Sequence, residues 1–285
     1  MLITKADRYL TEDIRDVLEN GYIDEDPRPR YRDGTPAHTL SLNHRCRTYD
    51  LSRGEFPICT LRHQAWKTGI REIFTIYIRP TNIISEMEKE GVTWWKDWDI
   101  GNGTTGLRYG GTVDRYDLTN RLVDDIEVNP YGRRKIMDLW QETDLRETPG
   151  LAPCAFLTNW NVRGEYLDMV LFQRSGDMLM ASGAGGINEI QYAALLMMIA
   201  RVTGYKPGVF THFVANEHIY DRHIEGAKIL LERASDECRD NETDTVPFLE
   251  LTAEEDTPLK EMTIDMFTMH GYKPVKPNLK LEIGI

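Results

Sequence analysis

The most constraining stretch of this 285-residue chain is residues 188–201, where Ile190, Ala193, Leu195, Leu196, Met197, Met198 and Ile199 leave a helix almost no polar face. A helix that is apolar nearly all round has no side to give to water, so it must lie at the centre of a domain with other elements around it. The sequence supplies those elements. Residues 155–162 and 166–173 are apolar-rich runs separated by Arg163-Gly164-Glu165, which reads as a β-hairpin. Residues 209–214 read as another strand and 223–235 as a helix. Ahead of the central helix, Ser182-Gly183-Ala184-Gly185-Gly186 is a glycine-rich loop without the Gly-Lys-Ser/Thr ending of a P-loop.

In the first half, residues 5–20 predict a helix with Ile14, Val17 and Leu18 on one side and Asn20-Gly21 as its stop. Residues 24–35 place Arg28, Arg30 and Arg32 among prolines and aspartates and read as a loop. Trp66, Ile70, Ile73, Phe74 and Tyr77 predict a helix over 60–78, ended by Arg79-Pro80. No internal repeat is visible and no linker-like stretch divides the chain, so a single α+β domain over residues 1–285 is expected.

Charge and cysteine usage narrow the function. Forty-six acidic against 34 basic side chains give a net charge of −12, which excludes coating nucleic acid through bulk charge. A small anion held by a local group of arginines stays open. No stretch approaches the roughly 18–20 apolar residues of a membrane span, and the first residues carry no apolar signal core. Cys46, Cys59, Cys154 and Cys238 lie far apart with no CxxC pair, so neither a disulfide framework nor a paired-thiol metal site is expected. The expected setting is a reducing cytoplasm. His218 and His223 lack a third ligand at a telling spacing, and no metal is expected.

Cys154 follows Leu151-Ala152-Pro153 at the mouth of a predicted strand. A free cysteine is most often a small buried hydrophobe; a nucleophile needs positive charge nearby to favour the thiolate. Arg174 ends the partner strand of the hairpin, and Arg133-Arg134 lie upstream. Gln173-Arg174-Ser175-Gly176-Asp177 joins a cation, a hydroxyl and a carboxylate at a strand end, the composition of an anion cradle and equally of a surface turn. Asn188-Glu189-Ile190-Gln191 reads as a helix start with Asn188 as N-cap and Gln191 as its capping-box partner.

Taken in order, Pro153-Cys154, Gln173-Arg174-Ser175-x-Asp177, Asn188-x-x-x-Tyr192-Ala193 and His218-Ile219-Tyr220 resemble the thymidylate synthase family. Asn129-Pro130-Tyr131-Gly132-Arg133-Arg134 is similar to its phosphate motif, and Arg71-Glu72 to the helix bearing its glutamate. Trp94-Trp95-Lys96-Asp97-Trp98, Gly106-Leu107-Arg108-Tyr109-Gly110 and a closing tail at 272–285 extend the resemblance over most of the chain. It implies a mixed sheet packed on helices, with one sheet face at a homodimer interface and an N-terminal helix and loop at 1–35. It also implies one-carbon transfer from 5,10-methylenetetrahydrofolate to C5 of a pyrimidine deoxynucleotide. Cys154 would be the nucleophile, Glu72 would organise proton transfer, and Tyr109 would help to remove the C5 proton. Arg32, Arg174 and Ser175 would hold the phosphate, joined by Arg133 and Arg134 from the partner subunit. His218 and Tyr220 would bind the sugar, Asn188 the base, and Trp95 and Asp177 the folate side.

Several positions depart from that pattern. Ala155 follows the cysteine where the family has histidine, Ile78-Arg79-Pro80-Thr81-Asn82 replaces its Gln-Gly-x-Thr-Asn, and the span from Asp177 to Asn188 is three residues longer. These departures resemble the hydroxymethylase branch, in which water rather than hydride completes the transferred carbon. The resemblance therefore implies a dUMP 5-hydroxymethyltransferase, with dCMP as the other base; asparagine at 188 suits uracil, whereas cytosine-specific relatives carry aspartate. A diverged thymidylate synthase and a silent nucleotide- or RNA-binding homologue are the alternatives.

Overall fold

A computed structural model describes residues 4–235 and 245–282. Cys238 and the last three residues of the expected closing tail lie outside them. The elements in chain order are α1 (Lys5–Asn20), β1 (Tyr22–Ile23), β2 (Thr39–Asp50), α2 (Trp66–Ile73), α3 (Ile84–Lys89), α4 (Gly110–Tyr116) and α5 (Leu118–Val128). There follow β3 (Lys135–Asp138), α6 (Glu142–Glu147), β4 (Ala155–Arg163), β5 (Tyr166–Gln173), β6 (Gly176–Asp177), α7 (Ile187–Val202), β7 (Lys206–Tyr220), α8 (Ile224–Ala234), β8 (Phe248–Leu251) and β9 (Phe267–His270).

Seven strands form one mixed sheet in the order β1-β2-β7-β5-β4-β3, with the short β6 beside β7. The β5–β7 and β6–β7 pairings are parallel and the rest antiparallel. The expected α+β mixed sheet is what the chain builds. Along β5, Leu167, Met169, Leu171 and Gln173 are buried while Tyr166, Asp168, Val170 and Phe172 are half-buried, the alternation that the pleat imposes. The buried face packs on α7, of which Ile190 through Leu196 and Met198 through Ala200 are all buried. The opposite face carries Phe172 against Phe213, ring centroids 5.9 Å apart, and the Thr48 and Thr211 hydroxyls 3.3 Å apart.

Three local outcomes differ from the sequence expectation. The second helix begins at Trp66 rather than near residue 60, because the backbone before it is spent on tertiary partners. Cys59 N–H donates to Gly185 O at 3.0 Å, Thr60 N–H to Asp7 Oδ1 at 2.8 Å, and Gln64 N–H to the Tyr272 hydroxyl at 2.7 Å. Its C-terminal end widens into a π-helical stretch, Phe74–Ile78. The strand expected at 209–214 runs as the 15-residue β7. The capping role expected of Asn188 is not made: Gly186 occupies the N-cap of α7, with no side-chain cap.

The glycine-rich loop is held closely. Gly185 has φ +65°, and a Cβ there would lie 2.3 Å from Cys59 N, so this position is closed to other residues on both counts. Its N–H donates to Glu189 Oε2 at 2.7 Å.

Candidate active site

Cys154 is half-buried at the residue before β4. Its N–H donates to the Tyr109 hydroxyl at 3.0 Å, and its carbonyl accepts the Arg174 N–H at 2.9 Å. The hairpin thus puts Arg174 beside the thiol: Arg174 Nε donates to Pro153 O at 3.0 Å and Nη2 to Ala152 O at 2.9 Å. Burial pushes the Cys154 thiol up, while Arg174 and Arg28 pull it down. The surrounding cations therefore moderate the thiol rather than hold it as a standing thiolate.

Tyr109 stands at the N-cap of α4 with φ +48° and ψ −110°, a strained backbone for a side chain with a Cβ. Its ring packs edge-on against Trp95 at 5.1 Å. Trp95 Nε1 donates to Glu72 Oε1 at 2.5 Å, and Trp94 Nε1 donates to the same oxygen at 2.7 Å. Gln191 Nε2 donates to Glu72 Oε2, and Gln191 Oε1 accepts Asn188 Nδ2 at 3.0 Å. Burial raises the Glu72 carboxyl, and the three donors from Trp94, Gln191 and Trp95 oppose that.

From Asn188 the contacts return to the cysteine. Asn188 Oδ1 accepts from Ser182 Oγ at 2.8 Å and from Gln173 Nε2 at 3.3 Å. Gln173 pairs across the hairpin with Ala155, the residue after Cys154. Cys154, Tyr109, Trp95, Glu72, Gln191, Asn188 and Gln173 thus close a ring of contacts drawn from α2, the 3-10 turn Trp94–Trp98, the head of α4, α7 and the β4–β5 hairpin.

The sugar candidates and Asp177 lie where β6 meets β7. His218 pairs in register with Asp177, and its Nδ1 lies 3.0 Å from Asn216 Oδ1. Burial lowers the His218 pKa, keeping the ring neutral. Its ring lies 5.3 Å from that of Tyr220, whose phenol is pushed up to about 12 by burial, with Asp177 and Cys154 adding to the effect. Asp177 Oδ1 accepts the N–H groups of Leu179 and Met180 at 3.0 and 3.2 Å. Ser175 is half-buried in the turn between β5 and β6.

Two groups of arginines lie outside this ring of contacts. Arg32 is exposed and lies 3.6 Å from Asp97; Arg28, four residues earlier, is also exposed, and its charge acts on both Cys154 and Tyr220. Arg133 and Arg134 are exposed on the turn before β3, outside the ring that this subunit forms alone.

The sequence reading gave no site role to Arg62, Trp94, Gln173 or Gln191. The Trp94-Trp95 pair was the one available signal, since two adjacent indoles present two N–H donors. Arg62 is buried near Asp177, with its Nε unpartnered among the described residues. Among those residues no group of three or more His, Cys, Asp or Glu is arranged to hold a metal ion. No described helix is long and apolar enough to cross a membrane.

The family model for thymidylate synthase matches residues 8–285. The chain is 42% identical to the thymidylate synthase of Lactococcus lactis subsp. lactis (strain IL1403) over 289 aligned positions, covering 99% of this chain and 100% of that one. The thymidylate synthase of Streptococcus pneumoniae (strain 70585) is also 42% identical, with the same coverage. Among solved structures, thermostable thymidylate synthase A from Bacillus subtilis superposes with a TM-score of 0.87 at 32% identity, covering 98% of this chain and 99% of that one. These relatives give no support to the hydroxymethylase branch and fit the methyl-transferring alternative better.

Proposed function

The chain belongs to the thymidylate synthase family, and on that premise we propose that it transfers one carbon from 5,10-methylenetetrahydrofolate to C5 of dUMP, ending as a methyl group and giving dTMP. The observation that carries this reading is the closed ring of contacts, which links the thiol-bearing residue, a buried carboxyl, a phenol and an amide.

The residues divide the work by their chemistry. Cys154 Sγ adds to C6, so that the C5=C6 electron pair moves toward C5 and O4 and makes C5 a nucleophile. Arg174 and Arg28, with Ser175, would hold the phosphate through charge-assisted hydrogen bonds, and Arg133 and Arg134 would reach it from a second copy. That copy would pack on the sheet face carrying Phe172 and Phe213. Asn188 meets the base edge, and His218 and Tyr220 meet the sugar hydroxyl. Glu72, with its pKa raised, moves protons at the base, and Tyr109 helps to take the C5 proton before Sγ leaves C6 with its bonding pair.

The folate side also fits. Arg62 has a buried guanidinium N–H to spare for a carboxylate. Asp177 Oδ2 makes no hydrogen bond to a described residue, which leaves an acceptor for ring N–H groups. Trp95 gives a flat wall. When bound, the folate supplies the one-carbon unit and, for the methyl outcome, the hydride that completes it. Free thiols at Cys46, Cys59 and Cys154 suit the reducing cytoplasm.

A hydroxymethyl product, from dUMP or dCMP, is the second reading. It rests on Ala155 beside the nucleophile and on the lengthened segment after Asp177, which folds as the π-helical stretch Met178–Ser182. The C5 chemistry shared by both outcomes is tested with dUMP tritiated at C5. Complete enzyme with folate should release tritium to water and Cys154→Ala should not; release by Cys154→Ala would refute the proposed nucleophile.

A further inference from the structure

Lys135 opens β3 in register with the fully buried Trp160 and is itself only 2% exposed. A lysine is almost never buried to this degree unless its ammonium is paired. Here the partners are backbone carbonyls rather than a carboxylate. Lys135 Nζ donates to Asn129 O and to Gly132 O, each at 2.6 Å.

The end of α5 explains the need for a cation. Its last residues are Asp124-Asp125-Ile126-Glu127-Val128, with no basic side chain in the last turn. Three carboxylates thus stand where the helix already presents the negative end of its dipole. A lysine at the surface would answer that charge without the desolvation that burial brings. What the buried position adds is geometric, because one ammonium bridges the two ends of the turn at 129–132. Asn129 O also accepts the Gly132 N–H at 3.0 Å, so the turn closes without the lysine. Gly132 O accepts from no other described group. The peptide that leads into Arg133 is therefore oriented by Lys135.

That turn carries an unusual surface. Arg133 and Arg134 are exposed, and their guanidiniums make no ion pair with a described residue. Val128 is 85% and Tyr131 74% exposed, with Ile136 exposed on the far side of the arginines. A chain of net charge −12 thus presents two uncommitted cations among bare apolar side chains. Arginine and aromatic residues are what protein interfaces collect.

We propose that Lys135 is the positioning residue of this arginine pair: its buried ammonium fixes the turn at 129–132 so that Arg133 and Arg134 leave it directed at the nucleotide phosphate bound by a second copy. The proposal rests on the reading of the two arginines as phosphate ligands across subunits. Lys135 itself touches no nucleotide; a buried lysine in one subunit sets the dUMP affinity of the other.

The test is calorimetric titration of dUMP into the wild type, Lys135→Met, the Arg133→Ala/Arg134→Ala double variant and the triple variant, with kcat and KM measured alongside. Methionine keeps the buried stem and removes both donors. Lys135→Met should weaken dUMP by about tenfold, the scale of one lost charge-assisted hydrogen bond. Its kcat at saturating dUMP should stay within about twofold, since binding made equally in ground and transition states is what is lost. In the triple variant the lysine change should cost nothing further, because the groups it acts through are gone. A merely structural lysine would lower the melting temperature without changing dUMP affinity, or would cost the same factor with and without the arginines; either result overturns the proposal. If Lys135→Met does not fold, Lys135→Gln, which removes the charge and keeps a polar end, carries the same comparison. A double variant that binds dUMP like the wild type overturns the cross-subunit reading and the role of Lys135 with it. A weakened double variant alongside an unchanged Lys135→Met overturns only the role of Lys135.

Discussion

The Tyr109 hydroxyl accepts the backbone N–H of Cys154 at 3.0 Å, so the residue with the strained backbone at the head of α4 fixes the position of the nucleophile. One phenol thus sits where it can orient the thiol-bearing residue and meet the proton to be removed. Tyr109→Phe removes the acceptor and the proton-transfer group while keeping the ring packed on Trp95. kcat should fall by about 10²–10⁴-fold, the range of a lost acid–base group, with KM for dUMP nearly unchanged. A variant that loses affinity instead would assign Tyr109 to substrate binding.

Trp94 and Trp95 both donate to Glu72 Oε1 and so stabilise its ionised form against burial. Removing one donor disfavours the carboxylate and raises the Glu72 pKa further. The acid limb of the kcat/KM pH profile should therefore move to higher pH in Trp94→Phe, by about one unit or less given a single hydrogen bond. A shift toward lower pH would show that the limb belongs to another group.

Arg28 and Arg32 separate two readings of the N-terminal loop. Loss of a charge-assisted bond to a phosphate is worth about 1.5–3 kcal/mol, or roughly 10–100-fold in affinity. Arg28→Ala should weaken dUMP binding by that factor, while Arg32→Ala, paired at the surface with Asp97, should leave it within about twofold. The reverse order would restore Arg32 to the site.

Arg47, with Asp13, Glu189 and Glu217 paired to it in the core, leaves a mark on stability. Burial pushes Glu217 up to about 7, Arg47 opposing and Asp13 and Glu189 adding to the rise. Its folded pKa exceeds its unfolded value, so its contribution is full below about pH 4.5 and is lost as pH rises through about 7. Denaturant unfolding of the wild type should show a component falling by on the order of 2 kcal/mol between pH 5 and 7. That component should be missing from Glu217→Gln; parallel curves for the two proteins would contradict it.

What the sequence made legible follows from how each element hides its polar groups. α7 announced itself by being apolar nearly all round, and the β4–β5 hairpin and α1 by apolar residues recurring on one face. The 12-residue β2 and the C-terminal end of β7 did not, since the first places Arg47 in the core and the second places Glu217 and His218 there. A strand whose buried positions are ionic shows no hydrophobic alternation. In the site, Cys154, Glu72, Tyr109, Arg174 and Asn188 were named from their motifs. Arg28, Gln173 and Gln191 were given no role there, because what singles them out is distance to residues far away in sequence. The local sequence match at Arg32 could not show that the charge of Arg28 is the one acting on Cys154 and Tyr220.

The central claim is tested most directly by the mass of the nucleotide product. Enzyme incubated with dUMP and 5,10-methylenetetrahydrofolate should yield a nucleotide heavier by CH₂, with dihydrofolate released. A product heavier by CH₂O with tetrahydrofolate released would contradict methyl transfer and establish the hydroxymethyl outcome in its place.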